Sequence, residues 1–236
     1  MKPLRTRQGF TLTELLIALG IAAVAGLAGL GYYRTQVRAL STHSATLDAT
    51  DKVRAAMAFI SRELREAGYD PSAAALAAAG FKGIRYAGPN GIWIEFDQNG
   101  GGAIDPNAAD PAAESVIYSY DATNQQILRT VAGVSQSLVK NVPAGSFAFQ
   151  YYDAAGNALA MSTAASLTVP NGYPSVPSEV AQALTAGGTQ MVGDAGRDLI
   201  ALARVSLQVQ TVGTTPTTSL SLSARVSVPN RLLDRL

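Results

Sequence analysis

The sequence predicts an α+β fold in which one long N-terminal α-helix precedes a head built on antiparallel β-sheet. Three observations carry that expectation. Residues 10–33 form an apolar run with a single charge, a helical apolar stripe follows over residues 40–67, and the hydrophobic period drops to two beyond residue 80. The chain has 236 residues, enough for one exported head plus an extra element. Its 18 basic and 17 acidic side chains are scattered, giving a formal charge of +1 and no basic patch for a nucleic-acid partner. Cysteine is absent, which excludes disulfides, thiolate metal sites and a cysteine nucleophile, and the single histidine, His43, excludes a multi-histidine metal centre.

The first element is the run from Phe10 to Tyr33, preceded by Lys2, Arg5 and Arg7. As a helix its 24 residues reach about 36 Å, enough to cross a hydrocarbon layer of roughly 30 Å with some tilt. The leading basic residues put the start of the run on the cytoplasmic side, although Arg34 and Arg38 follow it closely and keep the asymmetry modest. A secretory signal would have a shorter apolar stretch with its cleavage site after it; here the expected cut lies before the run. Glu14 is the charge inside it. An ionisable group in a spanning helix costs ~2.5–3.5 kcal/mol on insertion scales, so Glu14 either snorkels to the interface or has a dedicated partner. Gly20, Gly26, Gly29 and Gly31 interrupt the run without forming a clean dimerisation motif, and read as close packing in a helix bundle or as points of bending.

The stretch Arg7-Gln8-Gly9-Phe10-Thr11-Leu12-Thr13-Glu14-Leu15-Leu16 resembles the class III signal of type IV pilins and type II secretion pseudopilins. The resemblance implies that a prepilin peptidase cuts between Gly9 and Phe10 and methylates the new amino group of Phe10. It also implies that Glu14, then the fifth mature residue, pairs with the N-terminal amine of a neighbouring subunit and sets subunit register. Thr13 stands where the family carries an aliphatic residue, a change tolerable because a hydroxyl bonds back to a helical carbonyl.

The second element continues the helix. Leu47, Val53, Met57, Ile60, Leu64 and Ala67 lie on one stripe, whereas Asp48, Asp51, Lys52, Arg62, Glu63, Arg65 and Glu66 fall largely off it. Gly68 followed by Asp70-Pro71 supplies the stop. The segment from Phe59 to Tyr69 resembles the helix end of PilW-like minor pilins and J-type minor pseudopilins. The expected organisation is a basic leader over 1–9, a membrane and filament-core helix over 10–33, a periplasmic half of that helix over 34–69, and a pilin-like head over 70–236.

Within the head, alternation marks strands at Ile92–Phe96, Val116–Tyr120, Phe147–Tyr151, Val205–Val209 and Leu220–Val228. Asp121–Asn124 and Asp153–Asn157 read as turns, and Gly213–Pro216 as the link of a final hairpin. Short links favour antiparallel pairing. Residues 170–196, rich in Pro and Gly, form an irregular insertion with a short helix expected at Ser178–Leu184, and serve either as a surface connection or as a binding loop.

Chemistry-bearing patterns are sparse. Asp97, Asn99 and Asp105 offer oxygens at odd spacings with Gly102 at the sharp turn, as a calcium loop does, but Gly101 and Ala108 occupy ligand positions and Asp110 or Glu114 would have to close the site. A glycine-rich hairpin loop is the alternative, and no other cofactor is expected. No serine-nucleophile elbow or phosphate loop is present, so an enzyme is not expected. His43 has no local carboxylate or serine partner and is read as a solvated helix residue. Tyr118, Tyr120, Tyr151 and Tyr152 read as strand packing residues.

The expected protein is thus a minor pilin or pseudopilin of the inner membrane with a periplasmic head, which helps initiate or cap a type IV pilus or type II secretion pseudopilus. Its expected partners are the prepilin peptidase, other major and minor subunits, and the inner-membrane assembly platform. A tip adhesin and a single-pass anchored domain that never enters a filament are the alternative readings.

Overall fold

The computed structural model describes residues 10–80, 83–162, 172–174, 180, 190–211 and 218–228, the side chains of residues 78, 79 and 194 excepted. Two compact units divide the chain, Met1–Ala45 and Thr46–Leu236.

Helix α1 runs from Leu12 to Glu66 without interruption. In the first unit its large apolar residues are exposed, Leu15, Ile17, Ile21, Val24 and Leu27 each by more than half. It is long and apolar enough to cross a membrane. The four glycines of the run stay helical, and a Cβ at any of them would meet nothing within 4 Å. Hydroxyls along the helix bond back to its carbonyls, Thr35 to Gly31 at 3.1 Å and Thr42 to Arg38 at 3.0 Å, so polar residues cost the helix little.

In the second unit α1 turns an apolar face to the core through Ala49, Val53, Ala56, Met57, Ile60 and Leu64. Two details differ from the sequence reading. Leu47 is 52% exposed and Ala49 is buried in its place, while Glu63, placed off the stripe, is buried. The helix stops at Gly68, which takes a positive φ of 80° and donates its N–H to the Glu95 carbonyl at 3.0 Å. Gly83 passes so near that a Cβ on it would lie 2.2 Å from the Gly68 Cα. A five-residue helix α2, Ala75–Ala79, follows; the Asp70 carboxylate accepts the Leu76 N–H at its start.

The head contains a five-stranded antiparallel meander of β1 (Ile84–Ala87), β2 (Gly91–Glu95), β3 (Ser115–Asp121), β4 (Gln126–Val131) and β5 (Val134–Lys140), in that spatial order. A three-stranded antiparallel sheet has the order β10-β9-β6, with β6 at Phe147–Tyr152, β9 at Leu202–Gln210 and β10 at Ser219–Ser227. A small pair joins β7 (Met161–Ser162) to β8 (Met191–Val192), and a single helical turn, α3, spans Asp194–Arg197.

One apolar cluster contains the α1 face, Ile92, Ile94, Val116, Tyr118 and Ile127 of the first sheet, and Phe147, Phe149, Val205 and Leu207 of the second. Each such side chain contributes about 1.5–3 kcal/mol on full burial. A second cluster holds Tyr86, Trp93, Ile117, Val180 and Met191, with Tyr173 packed against it. Trp93 and Ile117 are paired across β2 and β3, so the alternation seen there separates two buried faces and not an inner from an outer one. The expected turns are present: Asp121 accepts the N–H groups of Thr123 and Asn124, and Asp153 accepts that of Asn157. Of the expected helix at 178–184 only Val180 is described, and the link at 213–216 lies outside the described residues, as does most of the insertion.

Candidate functional site

The start of α1 is built by its own sequence. Thr11 precedes the first helical residue and Glu14 stands three positions on, the Thr-x-x-Glu spacing of a capping box. The Glu14 N–H donates to Thr11 Oγ1 at 3.3 Å, and Glu14 Oε2 accepts the Thr11 N–H and the Thr11 hydroxyl, both at 2.9 Å. Two N–H groups that a helix end leaves orphaned are thereby satisfied. Thr13 adds a hydroxyl contact with Thr11 at 3.1 Å. Glu14 Oε1 accepts no hydrogen bond among the described residues. Phe10, next to this box, is 84% exposed. Gly9 and the rest of the leader lie outside the described residues.

The box went unread in the sequence although its spacing was visible. Glu14 serves its own helix as well as offering an oxygen outward.

The head carries two buried ionic clusters with no local sequence signal. Glu63, on the last turns of α1, accepts from Arg129 of β4: Nη2 to Oε1 at 2.7 Å and Nε to Oε1 at 3.1 Å. Tyr118 of β3 donates its hydroxyl to the same carboxylate. The remaining face of the guanidinium binds Asp110 at 2.7 and 2.9 Å and lies 5.2 Å from the Phe59 ring centre. Hydrogen bonds from Arg129 hold the Asp110 carboxyl below its usual range. Burial and the Glu63 charge push the Tyr118 hydroxyl well above the ordinary tyrosine value.

On the other face of the sheet Arg85 forks onto Glu95 at 2.9 and 3.1 Å and also donates to the Tyr173 hydroxyl at 3.0 Å. Burial pushes the Glu95 carboxyl up, against the opposing pull of Arg85. The guanidinium lies between two aromatic rings, 5.4 Å from Trp93 and 4.8 Å from Tyr173. These groups hold one another through hydrogen bonds and ring contacts.

The calcium candidates lie in one loop; Asp97 is turned inward, whereas Asn99 and Asp105 are exposed and spend carboxylate or amide oxygens on the loop's own N–H groups. Asp97 is fully buried and accepts N–H groups of Gly100, Gly101 and Gly102 at 2.7, 3.1 and 2.9 Å. Asn99 Oδ1 accepts the Gly101 N–H, Asp105 accepts the Asn107 N–H, and Glu114 accepts those of Asn99 and Asp105. These oxygens anchor a glycine-rich loop, and among the described residues no group of three or more His, Asp or Glu is placed to hold a metal ion. His43 is exposed on α1. Tyr118, Tyr120 and Tyr151 are buried, as expected of strand packing residues.

Comparison with known families places one description on the chain: the prokaryotic N-terminal methylation motif matches residues 4–30. That match supports a type IV pilin-like protein. It covers the capping box and most of the membrane-length run, and suggests a structural subunit processed by a prepilin peptidase and assembled with other pilins. No curated protein matches the chain, and no solved structure does.

Proposed function

We propose that the chain is a minor pilin or pseudopilin precursor, cut between Gly9 and Phe10 and methylated on the Phe10 amine. The processed subunit waits in the inner membrane with its head in the periplasm, until the assembly platform moves it into a type IV pilus or type II secretion pseudopilus that it initiates or caps. The minor role is supported by the likeness of Phe59–Tyr69 to PilW-like and J-type subunits. The reading is carried by Glu14. It is the one charge of the 10–33 run, one carboxylate oxygen closes its own capping box, and the other is open. In lipid or a packed helix bundle an unmet carboxylate oxygen is costly, and the cationic Phe10 amine of a neighbouring subunit is the complementary group.

The test is mass spectrometry of the N-terminal peptide from membranes and from sheared surface fibres, for the native chain and for Glu14→Ala. A peptide starting at methylated Phe10 is expected in both fractions of the native chain, scarce relative to the main subunit. The variant should be processed in membranes yet at least tenfold depleted from fibres. A leader retained intact and confined to membranes would overturn the proposal.

A further inference from the structure

The two main sheets have four edges, and three of them are blunted. Strand β1 is four residues long and bulged between Ile84 and Tyr86. Strand β5 has Leu138 as an extra residue against Ile127 and Leu128, and ends on Lys140. The outer edge of β6 is covered, since the Phe149 N–H donates to the Pro89 carbonyl at 2.7 Å and the Tyr151 carbonyl accepts the Leu159 N–H at 2.9 Å. Bulges, terminal lysines and covering loops are the devices by which sheets avoid pairing with foreign strands.

Strand β10 has none of them among the described residues. It pairs with β9 over nine residues without a register shift, and Ser219–Ala224 contains no charge, proline or glycine. The Thr211 N–H to Thr218 carbonyl bond and the Val228 N–H to Ala201 carbonyl bond, both 2.9 Å, fix which residues face β9. In an antiparallel ladder the bonded pairs alternate, so Leu220, Leu222, Ala224 and Val226 bond inward while Ser219, Ser221, Ser223, Arg225 and Ser227 turn N–H and C=O to the free edge. The core-side face of the strand is also incompletely covered: Leu222 is 36% exposed, and Leu220 and Ala224 are only partly buried.

The opposite face carries a like-charge pair. Arg225 sits directly across from Arg204 of β9, whose other neighbour is Gln150 of β6. Like charges directly opposite destabilise a sheet, and among the described residues neither guanidinium has an acidic partner. A second copy of β10 would bring no carboxylate, because the strand has none.

We propose that the free edge of β10 is a docking site for an extended strand of a different protein chain. That strand adds to the β10-β9-β6 sheet through main-chain hydrogen bonds to Ser219, Ser221, Ser223, Arg225 and Ser227. It lays alternate apolar residues beside Leu220 and Leu222, and presents a carboxylate on the face of Arg225 and Arg204. This surface is independent of the processing and assembly end of α1.

The test uses the full chain in detergent micelles and two fluorescent nine-residue peptides that alternate valine and threonine, one with a central glutamate and one with a central lysine. The glutamate peptide is expected to bind at least tenfold more tightly. Ser223→Pro removes an outward N–H while leaving every bond to β9, and should weaken binding at least tenfold. Arg225→Glu keeps the backbone intact, pairs the new carboxylate with Arg204 across the strands and should abolish the preference. Failure of both peptides to bind, equal binding of the two by the native chain, or an unchanged preference in Arg225→Glu would overturn the proposal.

Discussion

Replacing Arg129 with methionine tests whether the Glu63 cluster holds α1 to the sheet. Glu63 is 3% exposed and, among the described residues, takes its cationic bonds from Arg129 alone, with Tyr118 as its other donor. Arg129→Met therefore strands a buried carboxylate, and breaking a buried pair in this way costs about 3–5 kcal/mol. Glu63→Gln is milder, because Arg129 keeps Asp110 and the amide still accepts a hydrogen bond; about 1–3 kcal/mol is expected. The double variant Glu63→Leu with Arg129→Met removes both charges and should recover most of the loss, since apolar replacements of whole buried pairs are often neutral. Urea unfolding of the full chain in micelles, followed through Trp93, gives the readout; this tryptophan is the only one and is 1% exposed. With a slope of about 2 kcal/mol/M, Arg129→Met should lower the midpoint by roughly 1.5–2.5 M. A double variant no more stable than Arg129→Met would refute the electrostatic account and leave packing by the arginine stem as the cause.

Two further outcomes follow from the geometry. Gly83→Ala should lower the melting temperature far more than Gly156→Ala: both positions have φ near +85°, but only at 83 would the new Cβ strike backbone, 2.2 Å from Gly68, whereas at 156 it meets nothing within 4 Å. Equal losses would show that backbone strain alone decides. Asp121 has its pKa lowered by hydrogen bonds from the Asn124 side chain first and then the Gln126 side chain. A folded-state pKa below the unfolded one stabilises above the unfolded value of about 3.9, and that stabilisation disappears as pH falls through the folded value. Asp121→Asn should thus be less stable than the native chain at pH 6, and melting curves should converge below about pH 4; a gap constant down to pH 3 would sink the linkage.

The parts of this fold legible in sequence were those with an uninterrupted period. The charge-poor run, the Val53 to Leu64 stripe and the strands around Ile94, Tyr118, Phe149, Leu207 and Leu222 all announced themselves. Strand β4 did not, because Arg129 occupies a core-facing position where an apolar residue would have completed the alternation. Nor did β5, whose first four residues are exposed and so were under no pressure to alternate. The second core behind Trp93 was hidden because Tyr173, Val180 and Met191 come from the aperiodic insertion. Glu63 was misjudged for a related reason: its partner is 66 positions away, and local pattern reports a charge without its neighbour.

The placement of the two ionic clusters explains why apolar patterning was not enough. They sit on opposite faces of the β1–β5 sheet, one meeting α1 through Glu63 and the other meeting Tyr173 of the insertion. Apolar burial is non-directional and would tolerate α1 sliding along the sheet by a turn. A slide of four residues would put Phe59 or Ala67 against Arg129, and a slide of three would offer Ile60 or Glu66; only Glu66 has a carboxylate, and moving it there would bury Arg62 or Leu64 in new surroundings while stranding Glu63. The planar fork of Arg129, shared between Glu63 and Asp110, accepts one of these registers. In this head the hydrophobic pattern selects which face of α1 is covered, and the buried arginine selects which turn lies over β4.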